Sequence, residues 1–244
     1  MMKILVTGIS GRMGQAVKQA VELNEGTELG STHDVGQDIA AAMSAADCGI
    51  DFSFHGFTPE LLATAVAQGK PLVIGTTGHT DEERAAISEA AKQIPIVFAS
   101  NYSVGVNTLF WLTRKATQIL KDYDIEIIEM HHHHKLDAPS GTARTLAEVV
   151  CEETDMSYDK DVMHGREGLV GARPQRQIGM HSMRGGDVVG DHTVMYATDG
   201  ERVELTHKAS SRMTFAGGAV RAALWLADKP AGLYNMQDVL GFTD

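Results

Sequence analysis

Residues 129–143 read EMHHHHKLDAPSGTA. Four adjacent histidines, a lysine and an aspartate stand directly before Pro-Ser-Gly-Thr. Such a set suits an affinity tag, a metal site, or acid–base chemistry on an anion. Tags sit at termini, and this run lies past the middle of the chain. Consecutive residues of an extended segment point to opposite faces, so at most His131 with His133, or His132 with His134, could share an ion. Neither pair has a third ligand at a recognisable spacing, and Cys151 falls on another element. The residues that follow favour the third chemistry. Pro139-Ser140-Gly141-Thr142 opens a helix with Ser140 as N-cap, and the amides of that N-terminus, with the Thr142 hydroxyl, attract an anion. Lys135 adds a cation, and an imidazole titrates near neutrality. The segment holds what is needed to protonate a substrate that carries carboxylates, with no metal. His133 and His134 also fit solvated loop residues.

A second set lies near the N-terminus, at Gly8-Ile9-Ser10-Gly11-Arg12-Met13-Gly14. Glycines between a strand and a helix permit a tight turn and close approach to a pyrophosphate on the helix N-terminus. Asp34 follows Gly14 by twenty residues, where a carboxylate can bind ribose hydroxyls. The spacing is G-x-x-G-x-x-G, with Ser10 in place of the central glycine of G-x-G-x-x-G. Two further loops, Gly75-Thr76-Thr77-Gly78 and Ala99-Ser100-Asn101-Tyr102, also end strands. Their small residues and amides could line a nicotinamide, or could be ordinary strand-to-helix turns.

These loops need a scaffold. Strands are predicted at 3–8, 27–34, 49–54, 71–78 and 94–100, alternating with helical stretches at 11–23, 58–69 and 80–93. That alternation predicts a doubly wound parallel sheet. After Asn101 the pattern changes to a helix at 103–120, a strand at 124–131 and a helix at 140–154. Three alternating segments then follow at 176–184, 191–198 and 201–209, which predict an open, largely antiparallel sheet. The stretch 213–228 returns to helix. A second α/β domain over 104–212, built on an open mixed sheet, is therefore inserted into the first.

The chain has 244 residues, with 21 Lys+Arg against 32 Asp+Glu, a net charge of 21 − 32 = −11. This balance argues against a nucleic-acid or anionic-membrane binder. Two cysteines imply no disulfide framework. No apolar run reaches the roughly 18–20 residues of a membrane span, and MMKILVTG lacks the regions of a signal peptide. The expectation is a soluble cytoplasmic protein.

GISGRMG (8–14), GTTG (75–78), ASNYSVGVN (99–107), IIEMHHHHKLDAPSGTA (127–143), RGGDVVGDHTVMYA (184–197) and ELTHKASSRMTFAGGAVRAALWL (204–226) together resemble the 4-hydroxy-tetrahydrodipicolinate reductase (dihydrodipicolinate reductase) family of bacterial lysine biosynthesis. The resemblance spans nearly the whole chain. It implies a Rossmann domain over 1–103, completed by 213–244, and a substrate-binding and oligomerisation domain over 104–212 that forms a homotetramer through its sheet. It further implies reduction of a small cyclic dicarboxylate by NADH and/or NADPH. His131 would be the proton donor and Lys135 its catalytic partner. His132, Gly141 and Thr142 would bind the substrate carboxylates. Cofactor contacts would come from Gly8, Ile9, Ser10, Gly11, Arg12, Met13, Asp34, Gly75, Thr76, Thr77, Ala99, Ser100, Asn101 and Tyr102, and Arg212 would face the cleft. The chain departs from the family where His133 replaces a frequent basic residue and where Val35, not arginine, follows Asp34. It is also short between Asp34 and Asp51. Other readings are a different reductase of a small amino or keto acid, and a nucleotide-sensing regulator, which would have no use for His131 and Lys135.

Overall fold

Alternation along β1 (Met2–Thr7) sends Ile4 and Val6 to one side of a sheet and Leu5 to the other, and all three are buried. β1 therefore needs cover on both faces, as a central parallel strand does. The computed structural model, which describes residues 1–242, supplies that cover. β2 (Thr27–His33), β3 (Cys48–Asp51), β4 (Leu72–Ile74), β5 (Pro95–Phe98) and β11 (Gly232–Tyr234) join β1 in a six-stranded sheet of order β11-β5-β4-β3-β1-β2. Every pair in it is parallel. Helices α1 (Arg12–Leu23) and α8 (Met213–Leu226) bury Val17, Val21, Ala219 and Val220 against Ile4, Val6, Ile50 and Val73. On the other face α2 (Ile39–Ser44), α3 (Thr58–Gln68) and α4 (Asp81–Ala90) bury Ile39, Met43, Leu61 and Ile87 against Leu5, Leu72 and Ile74.

Local chemistry sets the helix ends. Thr80 and Glu83 form a reciprocal capping box at α4. Gly69 closes α3 in the left-handed conformation, with φ of 63°. The short span after Asp34 is not bare: Asp38 accepts from the amides of Ala40 and Ala41 and starts α2, a helix too brief for its apolar period to register in the sequence.

The chain divides into two compact units, Met1–Val104 with Arg212–Asp244, and Gly105–Ser211. Thr243 and Asp244, the end of the segment expected to complete the first domain, lie outside the described residues. β11 and α9 (Met236–Leu240), not anticipated in the sequence, add the sixth strand and a last helix to the first unit.

In the second unit, β6 (Asp124–His131), β7 (Val162–His164), β8 (Ile178–Arg184), β9 (Gly190–Thr198) and β10 (Glu201–Ala209) form a sheet of order β10-β9-β6-β8-β7. The sheet is mixed, as expected of the inserted domain, and its parallel pairs go beyond the largely antiparallel arrangement read from the last three segments. β6–β8 and β7–β8 are parallel, whereas β6–β9 and β9–β10 are antiparallel. Helix α6 (Gly141–Glu152) is the cause, because it carries the chain back across the sheet after β6. With α5 (Val104–Ile119) it buries Leu109, Leu146 and Val150 against Ile125, Ile127, Ile178, Met180, Val194 and Tyr196. The short α7 (Tyr158–Asp161) leads into β7.

Candidate functional site

Parallel register brings the C-terminal ends of β1 to β5 to one edge of the first sheet, where open α/β sheets bind ligands. Gly8, Asp34, Gly75 and Ala99 follow directly on their strands there. Gly8 has φ of 65°, and a Cβ on it would stand 2.4 Å from the Phe52 carbonyl oxygen. A Cβ on Gly14 would meet the Gly8 carbonyl at 2.1 Å, so α1 can approach the turn only with glycine there. Gly11 caps α1 without a side-chain acceptor, which leaves first-turn amides without an intrahelical partner. This bare cradle fits a pyrophosphate.

Asp34 accepts hydrogen bonds from the Ser10 amide at 2.8 Å and the Val35 amide at 2.9 Å. The Ser10 side chain and these amides hold its carboxyl below the usual range, so an anionic acceptor sits beside the loop. Ile9 and Met13 are half-buried against the first core, and Arg12 is exposed.

The edge also carries a group that spacing did not reveal. Asp51 is fully buried, and its carboxylate accepts from the hydroxyls of Thr7, Ser53 (2.5 Å) and Thr76 (2.5 Å). Thr76 Oγ1 in turn accepts from the Ser53 amide at 2.8 Å. The GTTG loop is thus oriented from beneath by a carboxylate, while Thr77 stays exposed. Tyr102, expected among the cofactor contacts, is 1% exposed, and its hydroxyl donates to the carbonyls of Ile74 and Val97. That side chain anchors the core, which leaves only backbone for a ligand. Ser100 is exposed, and Ala99 and Asn101 are half-buried. Arg212 begins α8, where its carbonyl accepts from the amides of Phe215 and Ala216.

In the second unit the histidine run does not continue as a strand. β6 ends at His131, and the chain turns, with the Lys135 amide donating to the His132 carbonyl at 3.2 Å. Residues 185–188 hold this turn: the Gly185 amide donates to His131 O, the His132 amide to Val188 O and the His133 amide to Gly186 O. His131 is buried, His132 half-buried, and His133 and His134 exposed. Among the described residues no group of three or more His, Cys, Asp or Glu is placed to hold a metal.

His131 Nδ1 lies 2.6 Å from Oε2 of Glu129, a carboxylate with no solvent exposure. Arg184 grips both oxygens of Glu129 at 2.9 and 2.8 Å, and the Ser140 amide donates to Oε1 at 3.1 Å. Burial raises the Glu129 carboxyl, but hydrogen bonds from His131, Arg184 and Ser182 outweigh it and hold it far below the usual range. Ser140 caps α6 through the Ala143 amide, and its hydroxyl lies 3.0 Å from His192 Nε2. The His192 ring packs edge-on to His131 at 5.1 Å, and burial, then the neighbouring His131, brings its pKa down to about 3. Lys135 Nζ pairs with Asp137 at 2.9 Å. Gly141 and Thr142 form the start of α6, with open space where a Gly141 side chain would be. One neighbourhood thus unites an imidazole, a helix N-terminus and an ammonium group.

Glu129, Arg184 and His192 escaped the sequence reading. RGGDVVGDH carries two of them, but only β-sheet register puts them beside His131.

Family models agree with this division of chemistry. Residues 2–102 match the N-terminal model of dihydrodipicolinate reductase and residues 105–240 the C-terminal one. A 4-hydroxy-tetrahydrodipicolinate reductase of Akkermansia muciniphila is 68% identical over 100% of this chain and 99% of its own length. One from Magnetococcus marinus is 47% identical, with 98% of each chain covered. The dipicolinate-bound dihydrodipicolinate reductase of Paenisporosarcina sp. TG-14 superposes with a TM-score of 0.78 at 25% identity, over 98% of both chains. The DAP dehydrogenase of C. glutamicum, 9% identical with a TM-score of 0.57, shares the fold. The glycine cradle, the carboxylate-held histidine and the full-length matches lead to one assignment: this chain belongs to the dihydrodipicolinate reductase family.

Proposed function

We propose that the chain reduces 4-hydroxy-tetrahydrodipicolinate to tetrahydrodipicolinate in the diaminopimelate route to lysine. The observation that carries this reading is His131, held by Glu129 beside the Ser140-capped N-terminus of α6. The 4-hydroxyl leaves as water together with a proton from the neighbouring ring carbon, and a nicotinamide held in the first unit would supply hydride to C4 of the unsaturated ring, giving an enamine. His131 then gives its proton to the enamine carbon. Lys135 supplies positive charge beside it, and His132, Gly141 and Thr142 receive the ring carboxylates. Gly8 through Met13 cradle the pyrophosphate, and Asp34 receives the ribose hydroxyls. Gly75–Thr77 and Ala99–Asn101, with the Tyr102 backbone, line the nicotinamide.

Asp34 with exposed Val35 favours use of both nucleotides, with NADH equal or preferred by up to about tenfold, roughly 1.4 kcal/mol. A 2′-phosphate would face the Asp34 carboxylate without an adjacent arginine, though Arg12 on the loop can offset part of that repulsion. No described helix is long and apolar enough to cross a membrane, in keeping with work in the cytoplasm. A homotetramer would use the sheet face away from α5 and α6, where Met130 stands opposite Met183 and Met195 opposite Glu126. Light scattering showing a monomer at micromolar concentration would overturn that assembly.

The test of activity is a coupled assay with freshly made dihydrodipicolinate synthase product, following NAD(P)H absorbance. Oxidation that depends on the synthase product is expected, unaffected by EDTA and inhibited by pyridine-2,6-dicarboxylate in competition with substrate. No oxidation with either nucleotide would sink the reading.

A further inference from the structure

We infer that Glu129, clamped by Arg184, is the positioning residue that fixes which ring nitrogen of His131 exchanges the reaction's proton. This deepens the proposed reductase reading and rests on it for the kinetic arm of its test.

The argument starts from a census of donors. Glu129 Oε2 accepts from Arg184 at 2.9 Å and lies 2.6 Å from His131 Nδ1. Oε1 accepts from Arg184 at 2.8 Å and from the Ser140 amide at 3.1 Å. The guanidinium is itself anchored, since it also donates to the carbonyls of Met183 and Asp137. A carboxylate surrounded by donors on both oxygens is an acceptor only, so the proton between it and His131 sits on Nδ1. Exchange is left to Nε2.

The surroundings of Nε2 agree. A Cβ added at Gly190 would stand 3.0 Å from Nε2 and 3.4 Å from Cδ2. Glycine at the start of β9 keeps that corner of the ring uncovered. The ionisable groups around His131 come from every element packed on it. β6 gives Glu129, β8 gives Arg184, and β9 gives His192. β10 gives His207, the cross-strand partner of His192, and the following turn gives Lys135 with Asp137. Arg184 and the Lys135–Asp137 pair are already engaged, and His192 Nε2 is taken by the Ser140 hydroxyl. Among the described residues, only Glu129 reaches a His131 ring nitrogen in a hydrogen bond. The arrangement is that of a histidine whose tautomer is set by a buried carboxylate, the role such a carboxylate plays beside catalytic histidines elsewhere.

The test has two arms on the whole protein. In the first, long-range ¹H–¹⁵N spectra of ¹⁵N-histidine-labelled wild type are taken at alkaline pH. His131 is expected as the Nδ1–H tautomer with a bare Nε2, assigned by loss of its signals in His131→Gln. A majority Nε2–H form overturns the inference, whatever the activity. In the second arm, Glu129→Gln is expected to shift His131 toward a tautomer mixture and lower kcat roughly tenfold or more, with KM for substrate and nucleotide unchanged. Wild-type kcat, or loss of activity through KM alone, overturns the inference. If Glu129→Gln does not fold, the wild-type spectrum decides. If the wild type shows no turnover with the dicarboxylate, the reductase reading fails while the spectrum still judges the Glu129–His131 pair.

Discussion

The sites proposed in the two units are built from opposite materials. In the first, the edge of the sheet is built by leaving side chains out. Gly8 and Gly14 stand where a Cβ would strike backbone at 2.4 and 2.1 Å, and a Cβ on Gly75 would strike the Phe52 ring at 2.2 Å. In the second, the site is built by packing charge in. Glu129 has no exposure, yet it is satisfied by an arginine, a histidine and a helix-start amide. A backbone cradle takes whatever offers a pyrophosphate, whereas buried charge commits to a geometry, because an unsatisfied partner in a low-dielectric site is costly. The difference implies that the first unit fails by obstruction and the second by loss of a proton or a charge.

The largest expected effect separates chemistry from binding. His131→Ala and Lys135→Ala should each lower kcat by about 10²–10⁴-fold and leave nucleotide affinity intact, as read by fluorescence titration and steady-state rates. Either variant keeping more than half of wild-type kcat would end the assignment of that residue.

Next come two glycines at helix starts. Gly14→Ala forces a Cβ to 2.1 Å from the Gly8 carbonyl, so about 1–3 kcal/mol of stability and most nucleotide affinity should be lost. Gly141→Ala meets nothing within 4 Å and should stay within about 0.5 kcal/mol in stability. Urea melts of both variants would show whether obstruction is confined to the first unit.

Acid should act mainly on the second unit. His192 is neutral in the fold down to about 3, while the unfolded chain takes that proton near 6.5. The unfolded state then binds more protons, so stability falls as pH drops from 6.5 toward 3. Burial raises the Glu126 carboxyl, but Arg166, His181 and Arg173 bring it down to about 2 from 4.5, so its contribution is lost between those values as pH falls. One fully coupled group changes stability by roughly 1.4 kcal/mol per pH unit, less where water screens it. Denaturant midpoints measured from pH 7 to 4 should decline, and His192→Phe should flatten the upper part of that decline. An unchanged slope would mean that His192 titrates in the fold as in the open chain.

The smallest effect tests the two charged side chains at the first cradle. Asp34→Ala should weaken NADH more than NADPH, and Arg12→Ala the reverse, each by up to about tenfold in kcat/KM. A wild type favouring NADPH by more than that would show the Asp34–Val35 reading to be wrong.

Legibility in the sequence follows the same division. Gly8 to Gly14 and Asp34 could be placed because strand, turn and helix are local and their spacing is fixed by the fold. His131, Lys135 and Ser140 were visible for the same reason. Arg184 was not, since it lies 55 positions from Glu129 and meets it only through β6–β8 register. Parallel pairing of β8 was hidden for a related reason: alternation marks a strand without stating its direction. Tyr102 was legible as the end of a strand-terminal loop, but not the burial of its ring, which leaves only its backbone to meet a ligand.

One feature of the first unit bears on how the chain is made. Its central core takes Ala216, Ala219, Val220, Ala222 and Leu226 from α8, and Met236 and Val239 from α9. A ribosome delivers these residues only after the whole of Gly105–Ser211 has emerged, on the order of ten seconds after β5 at typical synthesis rates. Until then Ile4, Val6, Ile50 and Val73 have α1 but no α8 to cover them. Nascent chains stalled before residue 213 should therefore expose an apolar sheet face to chaperones, and the nucleotide cradle should mature late although its glycines are translated first.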